Sequence, residues 1–301
     1  MERAPHLIEK TRNDSVFGSW MMHWWEAPAG DPLRSEVAAI WDFEGSLAYR
    51  RERLFPDGML QIVVQLDDPH RLAEAVAPFP SLCVDGIATL STTIEAPLGR
   101  CRVLGIRLQP LGAFALLRTS LAALRDRSLD LRDVVGQSAT ELGERLSFGR
   151  SGAERIASAE AWVRRRFASS FEVDPAVAVV FDAIRCAGGA LSLGGFNTLT
   201  GRSRSRLAAA FRDHVGLTPK RYARIVRFRH AIEMLGSGTL PIAAVAAEAG
   251  YYDQAHLCEE FREHAGLTPS AYADASRYPG GINLAEMPDV SFFQDAARAE
   301  R

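Results

Sequence analysis

From about residue 20 to residue 108, apolar side chains recur at every second position in short runs separated by turn residues. Runs 37–43, 60–66 and 102–108 each read as a β-strand. In the second run Leu60, Ile62, Val64 and Leu66 share one face, and Gln61 and Gln65 share the other. Pro56, Asp57 and Gly58 supply the turn before it. After Pro110 the spacing becomes helical, and segments such as 154–167 carry amphipathic patterns as far as Phe167. The expected class is therefore α+β: a small β-barrel or β-sandwich, a helical extension, and an all-α C-terminal region. No stretch approaches 18 uninterrupted apolar residues, so no membrane span is expected.

The C-terminal pattern contains an internal repeat. Residues 211–224 read FRDHVGLTPKRYAR and residues 261–274 read FREHAGLTPSAYAD, with nine of fourteen positions identical at a fixed offset of 50. Gly216 and Gly266 suit the left-handed residue that closes a helix. Thr218-Pro219 and Thr268-Pro269 suit an N-cap followed by a first-turn proline. Upstream, Leu207 and Leu257 share a helical face with Phe211 and Phe261, and Ser203 and Asp253 are good N-caps. Gly201 and Gly250 punctuate the approach, and a helical run over 241–249 precedes the second glycine. Helix, glycine turn and capped second helix together describe a helix-turn-helix, twice. The leading helix of the first copy, within 191–200, contains two glycines and is expected to be short or irregular.

The run GYYDQAHLCEEFREHAGLTPSAY (250–272) resembles the second helix-turn-helix signature of AraC-type regulators, and 203–222 resembles the first. The resemblance implies a transcription regulator, more often an activator, that binds double-stranded DNA, and the polar stretch MERAPHLIEKTRND, which lacks the apolar core of a secretory signal, makes a cytoplasmic location the expectation. A continuous helix over 220–235 would hold the two recognition helices over major-groove segments about 34 Å apart on one duplex. It also implies base-facing positions at Ser205, Ala208 and Ala209 in the first helix, and at Gln254, Ala255, His256, Cys258 and Glu259 in the second, with Ser203 and Asp253 at the helix starts. Gln254 can pair bidentately with adenine, Glu259 can accept from a cytosine amino group, and the alanines offer contact to a thymine methyl. Arg202, Arg204, Arg206, Lys220 and Arg221 are assigned to phosphates.

Charge supports a polyanionic partner despite a formal net charge of -2. Residues 201–230 hold nine basic side chains against the single acid Asp213, a local +8. Residues 240–277 carry six acids and two arginines, a local -4, so the first unit is expected to dominate affinity and the second to add selectivity or to touch RNA polymerase. His214 and His264 are expected to support the repeated turn by hydrogen bonding. The four cysteines, Cys83, Cys101, Cys186 and Cys258, form no C-x-x-C pair, so neither a disulfide framework nor a zinc site is expected.

In the N-terminal half, LFPDG, RVLGIRLQPLGAFALL and the following helical pair are similar to the cupin-like domain of some AraC-type regulators. That similarity implies effector sensing, dimerisation, or both. Trp24, Trp25, Trp41, Phe43, Phe55 and Met59 are the candidate walls of an effector pocket for an apolar or aromatic compound. No H-x-H pair occurs among the three histidines of this half, His6, His23 and His70, so a metal-dependent cupin enzyme is not expected, nor any other cofactor. The expected division is 1–110 cupin-like, 111–170 helical and a candidate homodimer surface, 171–278 double helix-turn-helix, and 279–301 a tail, with 188–195 as a linker. The competing readings are an enzyme converting a small molecule, fused to a DNA-binding domain, and a protein-interaction adaptor.

Overall fold

A computed structural model describes residues 7–14, 18–47, 51–168, 172–192 and 194–276. The expected tail 279–301, and His6, lie outside the described residues.

Ten strands make two antiparallel sheets. The strands are β1 (Leu7–Asp14), β2 (Gly18–Trp25), β3 (Val37–Leu47), β4 (Arg51–Leu54), β5 (Leu60–Gln65), β6 (Arg71–Leu72), β7 (Leu82–Asp85), β8 (Thr92–Glu95), β9 (Arg100–Leu108) and β10 (Ser128–Asp130). The larger sheet runs β1-β2-β3-β9-β5-β7-β10 and the smaller β4-β8-β6. The three expected strands are β3, β5 and β9, which lie side by side at the centre of the larger sheet. The alternation of β5 holds: Leu60, Ile62 and Val64 are buried in the main core. Gln61 and Gln65 face the opposite side, where the two sheets enclose a cavity.

Helices cover the core side of the larger sheet. These are α1 (Pro110–Leu117), α2 (Leu131–Val135), α3 (Gln137–Phe148) and α4 (Gly152–Phe167). Ser151 caps α4 by accepting from the Glu154 amide, and Ile156, Ala159, Trp162 and Val163 repeat at helical spacing to form its buried stripe. On the same face Arg155, 1% exposed, reaches β3 and donates to both carboxylate oxygens of Asp42 (2.6 and 2.7 Å) and to Glu44 (2.9 Å). Burial alone would raise Glu44, but Arg155 and Arg100 hold its carboxyl below the usual range. The apolar faces of α1, α3 and α4 are thus occupied within the chain.

The C-terminal region comprises α5 (Pro175–Cys186), α6 (Phe196–Thr200), α7 (Arg204–Val215), α8 (Pro219–Ser237), α9 (Ile242–Glu248), α10 (Gln254–Ala265) and α11 (Pro269–Ser276). As expected, α6 is a single short turn, and α8 is continuous for 19 residues, about 28 Å at 1.5 Å per residue. The start of the stretch expected as a linker is packed: Gly189 (φ +80°) lies so close to α8 that a Cβ there would stand 2.2 Å from the Ala223 carbonyl oxygen, while Ala190, Ser192, Gly194 and Gly195 are exposed. One continuous core runs from the larger sheet through α1 and the 3-10 turn Leu121–Ala123 into α5, α7 and the first half of α8. A second cluster, centred on Phe228, Phe261 and Tyr272, holds the rest of α8 with α9, α10 and α11. Among the described residues no helix is long and apolar enough to cross a membrane.

Candidate nucleic-acid interface and ligand cavity

The repeat in sequence becomes a repeat in exposure. Ser203 caps α7 by accepting from the Arg206 amide, and Asp253 caps α10 by accepting from the His256 amide at 2.8 Å. Gly216 (φ +88°) and Gly266 (φ +70°) end the two helices in the left-handed region. Leu207, Phe211 and Val215 point inward from α7, as Leu257, Phe261 and Ala265 do from α10. The outward stripe of α7 carries Arg204, Ser205, Ala209 and Arg212, with Ala208 half-buried. At the same offset α10 presents Gln254, Ala255, Glu259 and Arg262, with Cys258 half-buried. His256 faces partly inward, its Nδ1 accepting from the Tyr252 amide (3.4 Å) and its Nε2 lying 3.5 Å from Glu260. Arg206, Lys220 and Arg221 are exposed, whereas Arg202 is drawn to Asp174 at the start of α5 (2.5 Å). Tyr252, where with Asp253 the second recognition helix was expected to begin, is 92% exposed just before the cap of α10 and was not among the expected base-facing positions.

The local charges are smaller than a count along the chain suggests. Arg224 donates to Glu260 (2.7 Å) and to Glu263, and Arg227 places one nitrogen 2.8 Å from each oxygen of Glu260. Burial would raise the Glu260 carboxyl, but these two guanidiniums hold it below its ordinary value. Arg227 also lies over the Tyr251 ring, 4.7 Å from its centroid. Two of the nine expected cations therefore clamp α8 to α10, and two of the six expected acids receive them. Arg204, Arg206, Arg212, Lys220 and Arg221 have no ion pair among the described residues, and all five are exposed. On the outward stripe of α10, Glu259 and Arg262 balance, so this face is near neutral rather than acidic.

The cavity between the sheets has a volume of about 770 Å³, and Trp41, Phe43, Phe55 and Met59 line it. Trp24 and Trp25 do not, contrary to expectation. Neighbouring side chains on a strand leave opposite faces, so the pair could not share one wall. Trp25 enters the core on the helix side. Trp24 shares the Trp41 face but is buried beside it in the cluster with Trp20 and Met22, its indole nitrogen donating to Glu26 (2.9 Å). Among the polar walls, Arg107 is paired with Asp57, and Ser128 donates to Asp85. Burial raises the Asp85 carboxyl to about 6, and lowers His70 to about 4.

Both helix-turn-helix units rest on the N-terminal half. His214 stacks on Phe114 of α1 (ring centroids 3.9 Å apart), and its Nε2 accepts from the Asp174 amide. The second unit is held by main chain: the Ser91 amide donates to the His264 carbonyl (2.7 Å), the Ser91 hydroxyl to the Ala265 carbonyl (3.0 Å), and His264 Nδ1 to the Thr89 carbonyl (2.9 Å). Phe55 meets Tyr272 edge-on, and Gly58 lies beneath Tyr222. Residues 55, 59, 90 and 91 also line the cavity, so one set of loops walls the cavity and seats the second unit. The repeated histidines thus brace the turns by hydrogen bonding and stacking.

A family model described as a helix-turn-helix domain matches residues 198–275. Residues 198–275 form a helix-turn-helix domain. A domain of unknown function (DUF6597) matches residues 26–130. An uncharacterized HTH-type transcriptional regulator of Haemophilus influenzae is 34% identical to this chain over 57 residues, which is 19% of each protein. The chain therefore spans about a fifth of that relative's length. Among solved structures, the C-terminal domain of AraT, a response regulator from Geobacillus stearothermophilus, is 23% identical, with a TM-score of 0.32, over 35% of this chain and 88% of that one. ToxT from Vibrio cholerae is 11% identical, with a TM-score of 0.40, over 75% of this chain and 96% of its own.

Proposed function

We propose that this chain is a sequence-specific, effector-responsive DNA-binding transcription regulator whose two AraC-type units read adjacent major-groove segments. The observation that carries this reading is the shared register of exposure: positions 204, 205, 208, 209 and 212 recur at 254, 255, 258, 259 and 262. Arg204, Arg206, Lys220 and Arg221 take phosphates, and Arg212 joins them. Arg202, engaged by Asp174, is a weaker phosphate ligand. Ser205, Ala208 and Ala209 face bases in one groove segment, and Gln254, Cys258 and Glu259 in the next. His256 and Asp253 act chiefly by shaping the start of α10. The first unit supplies most of the electrostatic affinity, and the near-neutral second unit supplies discrimination.

Footprinting of the purified chain on genomic fragments tests this. The expected result is a protected site, and Arg204→Ala and Arg206→Ala should each lower the slope of log affinity against log salt by about 1 without changing sequence preference. No footprint, or unaltered salt slopes in both variants, would defeat the assignment. Contact with RNA polymerase through the second unit and formation of a homodimer are further parts of the proposal. Since the apolar faces of α1, α3 and α4 are occupied internally, a dimer through 111–170 would use their polar outer faces. Sedimentation showing only monomer at micromolar concentration would remove it.

A further inference from the structure

The cavity carries a chemical preference, and reading it as the effector site rests on the proposal above that the chain is effector-responsive. Its volume of about 770 Å³ lies within the range of about 300–1,000 Å³ that encloses small organic molecules. Aromatic walls come from Trp41 and Phe43 of the larger sheet, with Phe55 and Phe79 from the connecting loops. Charged walls are mostly acidic. Asp57 is neutralised by Arg107. Glu52, buried on the smaller sheet, and Asp85, on the larger, also line the space. The described partners of the Asp85 carboxylate are the Ser128 hydroxyl and, at 4.0 Å, the Cys83 thiol, both neutral, and no cation pairs with it among the described residues. Burial raises this carboxyl to about 6, so near pH 7.5 it is still largely ionised, an anion without a counter-charge beside an apolar cavity. Two arginines line the space: Arg107 is taken by Asp57, and Arg127, which is exposed and follows Asp126, donates to the Ala123 carbonyl (3.3 Å), so no buried cation is left for an anionic ligand. A bare metal ion fits no better, since no group of three or more acidic, histidine or cysteine ligands occurs among the described residues.

We propose that the cavity binds an organic cation with an aromatic or otherwise apolar body, its ammonium or guanidinium group paired with Asp85 and its body held against Trp41, Phe43 and Phe55. Binding supplies the missing counter-charge and fills the apolar space in one event. The aromatic faces add attraction for the cation through their quadrupoles.

The test uses three probes of one shape: 1-naphthylmethylammonium, 1-naphthalenemethanol and 1-naphthoate, titrated calorimetrically into the full chain and into Asp85→Asn. The ammonium should bind about 10- to 100-fold more tightly than the alcohol, as expected for a charge-assisted pair, and naphthoate should be weakest. In Asp85→Asn that preference should vanish while the alcohol binds as before, which also shows that the variant keeps its fold. Equal binding of the three probes, a preference for the alcohol or naphthoate, an ammonium preference that survives in Asp85→Asn, or no binding at millimolar concentration would each overturn the proposal. A gel shift on the same preparation keeps the two readings apart. DNA binding without ammonium preference sinks only the ligand class, and ammonium preference without DNA binding sinks only the regulator.

Discussion

The two helix-turn-helix units expose the same positions but rest on the molecule in different ways. The first is joined by side chains to the main core: Leu207, Phe211 and Val215 belong to the same apolar body as Ile87, Leu121 and the larger sheet. The second has its own apolar cluster, and its turn is held by hydrogen bonds that the Ser91 amide and hydroxyl donate and that the Thr89 carbonyl accepts, next to the cavity. A shared core resists separation because detachment exposes apolar surface, whereas a few hydrogen bonds exchange readily with water. The duplicated histidines show the same divergence. Each bonds a carbonyl and meets a ring, but toward the N-terminal half His214 stacks on Phe114 whereas His264 bonds the Thr89 carbonyl. Identical local motifs thus yield one anchored unit and one that responds to its seat.

The strongest way to break this contrast is to empty each core. Phe211→Ala and Phe261→Ala both delete a fully buried ring and should cost about 3–5 kcal/mol. Phe211→Ala should lower the melting temperature of the whole chain, while Phe261→Ala should split off an early transition confined to 228–276. A single shared transition in the second variant would show that the units are equally anchored.

Titration disturbs the cavity beside the second seat. Below about pH 4 the Asp85 carboxyl is protonated in folded and unfolded chains alike. Between about 4 and 6 the unfolded chain releases its proton while the folded one keeps it, so the Asp85 contribution to stability falls across that window by up to about 3 kcal/mol and stays level above it. His70, lowered to about 4, contributes a rise of similar size over nearly the same window, so the two offset each other in the parent chain. Removing the Asp85 part in Asp85→Asn should leave the rise uncovered in pH-dependent urea melts, and a pH profile that keeps the shape of the parent's would assign the titration to other groups.

Within the second unit, Gln254→Ala should cost about 1–3 kcal/mol at one base pair and relax selectivity there, which a binding-site selection experiment would read. A uniform loss across all sequences would make Gln254 a phosphate ligand instead. The smallest effect expected is that of Ser91→Ala. It removes one hydrogen bond to Ala265, about 0.5–1.5 kcal/mol, and should speed amide exchange over 254–266 while leaving 204–215 unchanged.

Much of the interface was legible because its signals are local. An N-cap, a left-handed glycine and a first-turn proline act within a few residues, so α7, α10 and the start of α8 could be placed from spacing alone. The central strands were legible for the same reason, from alternation. The partners of Arg224 and Arg227 were not, since Glu260 and Glu263 lie more than thirty residues away and only the crossing of α8 and α10 brings them together. Neither was α5, although Asp174-Pro175 followed by Val177, Val180, Phe181 and Ile184 held a capping and spacing pattern of its own. The misplacement of Trp24 and Trp25 was avoidable: strand geometry already forbids adjacent side chains one common wall.

Gly216 has a consequence for engineering. A Cβ at that position would meet Ile87 at 2.8 Å and the Leu121 carbonyl oxygen at 3.1 Å, while its counterpart Gly266 has only the tips of Arg53 and Ser91 within 4 Å. The N-terminal half is therefore not an exchangeable cassette. A chimera cut near residue 170 and grafted to an unrelated domain would strip Leu207, Phe211 and Leu217 of the apolar body they share with Ile87 and Leu121, so any stable graft must carry the 87–124 platform along with the C-terminal region.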